Sequence, residues 1–173
     1  FQRISELRHP NIVRVYDFGF TDTGMPYYTM ELVRGVPFLA LDTRRRPQVL
    51  AAVAGQVLDA LATLHARGWV HRDVKPENLL TVGDQDVALV RLIDLGLLVP
   101  VGSTSRPSGT LAYTAPEVIR SEPIDGRADL FSLGVLLYEA LLPVAQQTSI
   151  EVVAARLRER PPLPSEVDPT APA

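Results

Sequence analysis

The eleven residues VHRDVKPENLL, at positions 70–80, constrain the fold more than any other stretch. Trp69 and Val70 precede the charged part, Leu79 and Leu80 follow it, and all four favour burial. Between them stand His71, Arg72, Asp73, Lys75, Glu77 and Asn78. Charged groups leave water only when they are paired. The stretch therefore reads as a loop pinned at both ends by apolar anchors. Asp73 and Lys75 are two residues apart, which on an extended loop puts them on one side.

Composition bounds what surrounds that loop. The chain has 173 residues, enough for one domain with a real core. It is 46% hydrophobic and 21% charged, a globular balance rather than a disordered one. A net charge of −3 gives no electrostatic case for nucleic acid or an anionic membrane. With no cysteine there is no disulfide framework, thiolate nucleophile or Cys-based zinc site, which fits a reducing cytoplasm. The longest apolar stretch, residues 130–145, is too short to span a membrane and carries Glu139, so no membrane segment is expected. The opening at Phe1 and the closing RPPLPSEVDPTAPA both read as cuts, so a piece of a longer protein is expected. No internal repeat is visible.

The pattern of apolar residues supplies a frame. PNIVRVYDFGF and GMPYYTMELVRG read as two strands with a turn at residues 22–24. Val49, Leu50, Val53, Val57, Leu58, Leu61 and Leu64 recur at three- and four-residue spacing, predicting a helix over residues 47–67. Pro47 suits its first turn and Gly68 its end. LLTV and VALVRLID read as short strands around GDQD. Residues 129–142 are apolar nearly all round and predict a buried helix. Residues 149–160 predict a shorter amphipathic one. A few strands followed mostly by helices point to a helix-rich α+β domain.

The charged loop carries chemistry of a recognisable type. Phosphoryl transfer needs a carboxylate to accept a hydroxyl proton, a cation near the transferring group, and oxygen ligands for Mg²⁺. Asp73 can be the first and Lys75 the second, while Asn78 offers a neutral oxygen. Asp94 in LIDLG offers a second oxygen ligand, carried back beside Asn78 by the hairpin of residues 79–93.

Four motifs in order, HRDVKPEN, DLG, GTLAYTAPE and DLFSLGVLLYE, closely resemble a eukaryotic-type protein kinase domain of bacterial style. The resemblance spans nearly the whole chain, and Lys75 with GTLAYTAPE points to the Ser/Thr branch. It implies a protein-kinase-like α+β fold. Residues 1–33 would be part of the small lobe and residues 34–173 a large lobe ending before its last helices. It implies ATP and Mg²⁺ as cofactors, with Mn²⁺ an alternative, and a protein substrate with a Ser or Thr acceptor.

Carried over residue by residue, Asp73 matches the catalytic aspartate and Lys75 the lysine on the γ-phosphate, while Asn78 and Asp94 match the metal ligands. Met30 matches the gatekeeper. Glu31 to Val33 match the adenine-binding hinge, and Leu80 the residue under the adenine ring. Ile4, Val15, His71 and Leu95 match an apolar spine between the lobes. Thr110 matches the threonine packed on the catalytic loop, Glu117 the end of the activation segment, and Asp129 a buried aspartate holding the catalytic-loop backbone. Arg72 could pair with a phosphate on Ser103, Thr104, Ser105 or Ser108, which makes these residues candidate autophosphorylation sites.

Departures accompany the match. Leu95 stands where the family usually has Phe, and LLPVAQQTS replaces the usual turn after the buried helix. The Gly-rich loop, the strand lysine and the helix glutamate are not in the sequence, so this piece alone is expected to be inactive. Two rivals to an active Ser/Thr kinase remain. One is a pseudokinase or scaffold binding module, which the intact Asp73, Lys75, Asn78 and Asp94 argue against. The other is a small-molecule phosphotransferase, which should lack GTLAYTAPE.

Simpler readings apply to other residues. His9 reads as a turn residue, His65 as a helix-end residue, Arg44 to Arg46 as a solvated turn, and the Tyr27–Tyr28 pair as strand residues. Asp129 reads as an N-cap-like group opening its helix.

Overall fold

Nineteen residues from Pro47 to His65 form the long helix α1, and the structure is organised around its inner stripe. In the computed structural model the described residues are 5–40, 46–83, 89–104, 111–142, 162–169 and 171. Pro47 occupies the first turn, where its missing N–H costs nothing. Leu50, Val53, Val57, Ala60, Leu61 and Leu64 recur on one face and are buried. The helix ends two residues earlier than the periodicity predicts. Gly68, at φ +76°, takes the left-handed turn that follows, with its N–H donating to His65 O at 2.9 Å. By length and composition alone, α1 is long and apolar enough to cross a membrane, a test that the core helix of a soluble domain also passes. Its apolar stripe instead lies within the main hydrophobic core.

Among the described residues there are seven short strands. Strands β1 (Val15–Phe20) and β2 (Pro26–Met30) form an antiparallel hairpin, with Phe18 opposite Tyr28. Both are shorter than the apolar runs suggest, since Asn11 to Val13 leave the hairpin and pair with Leu92 instead. Strands β3 (Val36–Pro37), β5 (Leu79–Val82) and β6 (Leu89–Leu92) make an antiparallel three-stranded sheet in the order β3-β5-β6. Strand β4 (Trp69–Val70) pairs with β7 (Val99–Pro100) across the start of the charged loop.

Helix α2 (Pro116–Ile119) is a single turn, and α4 (Pro164–Val167) lies near the end of the chain. Helix α3 (Arg127–Ala140) starts two residues before the expected position, after a turn in which Asp125 Oδ1 accepts the Arg127 N–H at 2.9 Å. Asp129 is therefore the third helical residue and not the cap, correcting the N-cap-like reading. The helix is not apolar all round on its inner side, where Asp129, Ser132 and Glu139 are buried beside Leu133, Val135 and Leu136.

The main core joins α1, the β5–β6 hairpin and α3 through Leu61, Leu64, Leu79, Leu92 and Leu136. A second cluster, Val70, Ala115, Val118, Ile124 and Ala128, packs the base of the charged loop against α2 and the start of α3. The expected helix over residues 149–160 and the GDQD turn from Asp84 onward lie outside the described residues.

Candidate active site

The charged loop has no strand ladder along its length, so its shape must come from elsewhere. Asp129 supplies it. One carboxylate oxygen accepts the His71 N–H and the other accepts the Arg72 N–H, each at 2.8 Å. His65, at the end of α1, donates through Nε2 to the first of these oxygens at 2.7 Å. Gly126 leaves room for that ring, because a Cβ there would lie 2.5 Å from His65 Nδ1. Three donors thus satisfy a fully buried carboxylate, which is what burial of a charge requires. The bend they hold is unusual. Arg72 has φ +70°, a left-handed conformation that a side chain disfavours by roughly 1–2 kcal/mol.

Beyond the bend the loop closes on itself. Asp73 Oδ2 accepts from Lys75 Nζ at 2.7 Å and from Asn78 Nδ2 at 2.7 Å. Asn78 Nδ2 also donates to the Asp73 carbonyl at 2.9 Å. With its nitrogen doubly used, the amide presents its oxygen on the other side. A 3₁₀ turn over Pro76–Asn78 shapes this closure, and Pro76 and Asn78 are both buried. His71 is buried beneath the loop, its Nδ1 accepting the Asp73 N–H at 3.3 Å. Burial pushes the His71 pKa down, against the opposing pull of Asp129 and Asp73.

Asp94 arrives by sheet register. Leu79 of β5 pairs with Leu92 of β6, and the Ile93 N–H donates to Asn78 O at 2.9 Å. Asn78 and Asp94 therefore leave the same end of a strand pair. Asp94 is the second left-handed residue of the site, at φ +59°. Its Oδ1 accepts from the Gly96 N–H at 3.2 Å and from the Tyr28 hydroxyl at 2.9 Å. Burial, with the Asp94 hydrogen bond second, pushes the Tyr28 pKa up to about 12. Oxygens from a neutral amide and a carboxylate are the donor set that a hard divalent cation prefers, and among the described residues Asp94 Oδ2 accepts no hydrogen bond, so the pair fits such an ion.

The remaining candidates occupy several places. Met30 ends β2 and is exposed, Val33 packs on the main core, and Leu80 is half-buried on β5. Glu31 accepts from Arg91, whose other terminal nitrogen donates to Pro10 O at 2.7 Å. Val15, His71 and Leu95 are all buried, and Val15 and Leu95 line one cavity together with Tyr28 and Gly96. Glu117 lies in the first turn of α2, beside a polar surface cavity it shares with Arg120, Glu122, Asp125 and Arg127. Of the four hydroxyls after β7, Thr104 is exposed and Ser103 half-buried. Ile4, Arg44, Arg45, Ser105, Ser108 and Thr110 lie outside the described residues.

Sequence reading missed several side chains that hold the site. His65 read as a helix end, but it bonds Asp129. Tyr28 read as a strand residue, but it bonds Asp94. Its signal was available, since period two along β2 places Tyr28 on the same face as Met30. Tyr113, Ser132 and Glu139 drew no functional notice. Tyr113 donates to Glu139 Oε2 at 2.7 Å and Ser132 donates to Tyr113 O at 2.6 Å, tying the segment before α2 onto α3.

Comparison with known proteins adds an independent line. Residues 1–162 match the model of the protein kinase domain. The chain is similar to the serine/threonine-protein kinase PknL of Mycobacterium tuberculosis, 38% identical over 95% of this chain and 43% of that protein. It is 36% identical to the serine/threonine-protein kinase Pkn1 of Myxococcus xanthus, over 98% of this chain and 26% of that one. Among solved structures, the Cydia pomonella granulovirus kinase PK-1 superposes with a TM-score of 0.69 at 27% identity, covering 94% of this chain and 60% of that one. The chain spans less than half the length of these curated relatives.

Proposed function

The chain belongs to the protein kinase domain family, and from that premise we propose that the protein carrying it transfers the γ-phosphoryl group of ATP to a Ser or Thr hydroxyl of a protein. The observation that carries the reading is the closed cluster of Asp73, Lys75 and Asn78, on a loop bent by Asp129. Asp73 orients the acceptor hydroxyl and takes its proton. Lys75, now 2.7 Å from Asp73, is within a side-chain swing of a phosphate beside that carboxylate. Asn78 and Asp94 would hold the cation, Mg²⁺ by preference and Mn²⁺ as a substitute. Such an ion, when bound, supplies charge neutralisation at the phosphate oxygens. The hinge from Glu31 to Val33, with Leu80 below it, would take the adenine. The absence of cysteine and the use of ATP fit a cytoplasmic site of action.

The test uses the full-length protein with a Ser/Thr peptide, ATP and Mg²⁺. Asp73→Ala should lower phosphate transfer by on the order of 10²–10⁴-fold, the usual contribution of a positioned base, while nucleotide binding stays near wild type. Asp94→Ala should weaken Mg²⁺-nucleotide binding as well. Wild-type turnover in Asp73→Ala would overturn the assignment.

A further inference from the structure

The hydroxyl of Tyr28 reaches across from β2 to donate to Asp94 Oδ1 at 2.9 Å. The Gly96 N–H donates to the same oxygen at 3.2 Å. Among the described residues, Oδ2 of Asp94 receives no such bond. The terminal torsion of an aspartate is soft and nearly two-fold, so an unassisted carboxylate exchanges its oxygens with little resistance. Two donors on one oxygen remove that freedom. The turn is also tight at this point, since a Cβ on Gly96 would lie 3.1 Å from Asp94 Oδ1 and 3.8 Å from the Tyr28 hydroxyl.

We propose that Tyr28 is a positioning residue for the cation that accompanies the nucleotide. It clamps Asp94 Oδ1 and so presents Oδ2 to the metal. The inference rests on the reading of Asp94 as a metal ligand and adds a residue of the hairpin to that site. Partners that orient a ligating carboxylate contribute about 10–100-fold to metal affinity in comparable sites. The opposite role, a hydroxyl that competes with the metal for Asp94, predicts the opposite change on its removal.

The experiment uses the full-length protein, a non-hydrolysable ATP analogue, and Mn²⁺ as a spectroscopic probe titrated by electron paramagnetic resonance. Tyr28→Phe keeps the ring and its packing but loses the donor. It should raise the Mn²⁺ dissociation constant about 10-fold or more, leaving the affinity for metal-free nucleotide and the melting temperature at wild-type values. Tyr27→Phe, the neighbouring phenol, should change none of the three. Asp94→Ala should weaken the metal further than Tyr28→Phe does. Metal affinity in Tyr28→Phe that equals or exceeds wild type, while Asp94→Ala loses it, overturns the positioning role alone. Unchanged metal affinity in Asp94→Ala overturns the ligand reading and the clamp together. A fall in melting temperature with equal weakening of metal-free nucleotide would make Tyr28 merely structural and overturn the proposal.

Discussion

The loop over residues 71–78 and the β1–β2 hairpin both come close to Asp94, the loop through the bond of the Ile93 N–H to Asn78 O and the hairpin through Tyr28, and they are held by different means. The hairpin has a backbone ladder from Val15 opposite Met30 to Phe20 opposite Pro26, with one register shift between Val15 and Asp17. Its apolar side chains are nevertheless largely open to water: Leu32, just past β2, is 78% exposed and Phe20 65%. The loop has no ladder, yet Asp73, Asn78 and His71 are buried within it and Asp129 below it is inaccessible to solvent. Backbone pairing alone thus does not decide which region is buried. Placement comes from buried polar groups whose bonds are met from several elements at once, here the end of α1, the first turn of α3 and the loop itself.

The most severe way to probe that contrast is to remove the anchor. Asp129→Ala strands the buried His71 N–H together with the partly buried Arg72 N–H and His65 ring, at about 3–5 kcal/mol of stability. Urea unfolding of the purified protein measures it, and a loss below about 1 kcal/mol would mean that the loop holds its own shape. A second probe is pH. Burial keeps the folded-state pKa of His71 below its ordinary value of 6.5. The unfolded chain then binds the extra proton between these two values, so stability should fall as pH drops below 6.5 by up to about 1.4 kcal/mol per pH unit. His71→Gln should flatten that slope, and an unchanged slope would assign it to another group. The smallest effect belongs to the hairpin. Leu32→Ser should shift stability by no more than about 0.5 kcal/mol. A loss as large as that of Asp129→Ala would show that the outer face is covered in the protein and that the two regions are alike.

How far the sequence spoke for itself follows the same division. The stripe of α1 was legible because its burial is periodic in the chain, and the β5–β6 hairpin because both strands lie within fifteen residues of each other. The charged loop announced itself by composition. The pairing of Trp69–Val70 with Val99–Pro100 did not, since a two-residue ladder leaves no period to read. The bonds of Asp129 to a loop almost sixty residues earlier came from family resemblance rather than from local pattern. The contacts of Tyr28 and His65 escaped notice because each residue suits its own strand or helix without them. Their second duty is tertiary, and a sequence pattern records only the first.

The two Asp129 bonds also bear on the order in which the molecule assembles. Arg72 and Asp129 are 57 positions apart, and bringing them together carries a length-dependent entropic cost of roughly 3–4 kcal/mol, taken as three-halves RT ln n. No contact within the loop can repay that before α3 docks on α1. The left-handed bend at Arg72 therefore matures late, and a growing chain on the ribosome holds all of HRDVKPEN long before it holds the residue that shapes it. Pulsed amide exchange during refolding should show the N–H groups of His71 and Arg72 gaining protection together with α3, after α1. Protection of that pair ahead of α3 would place the bend among the early events.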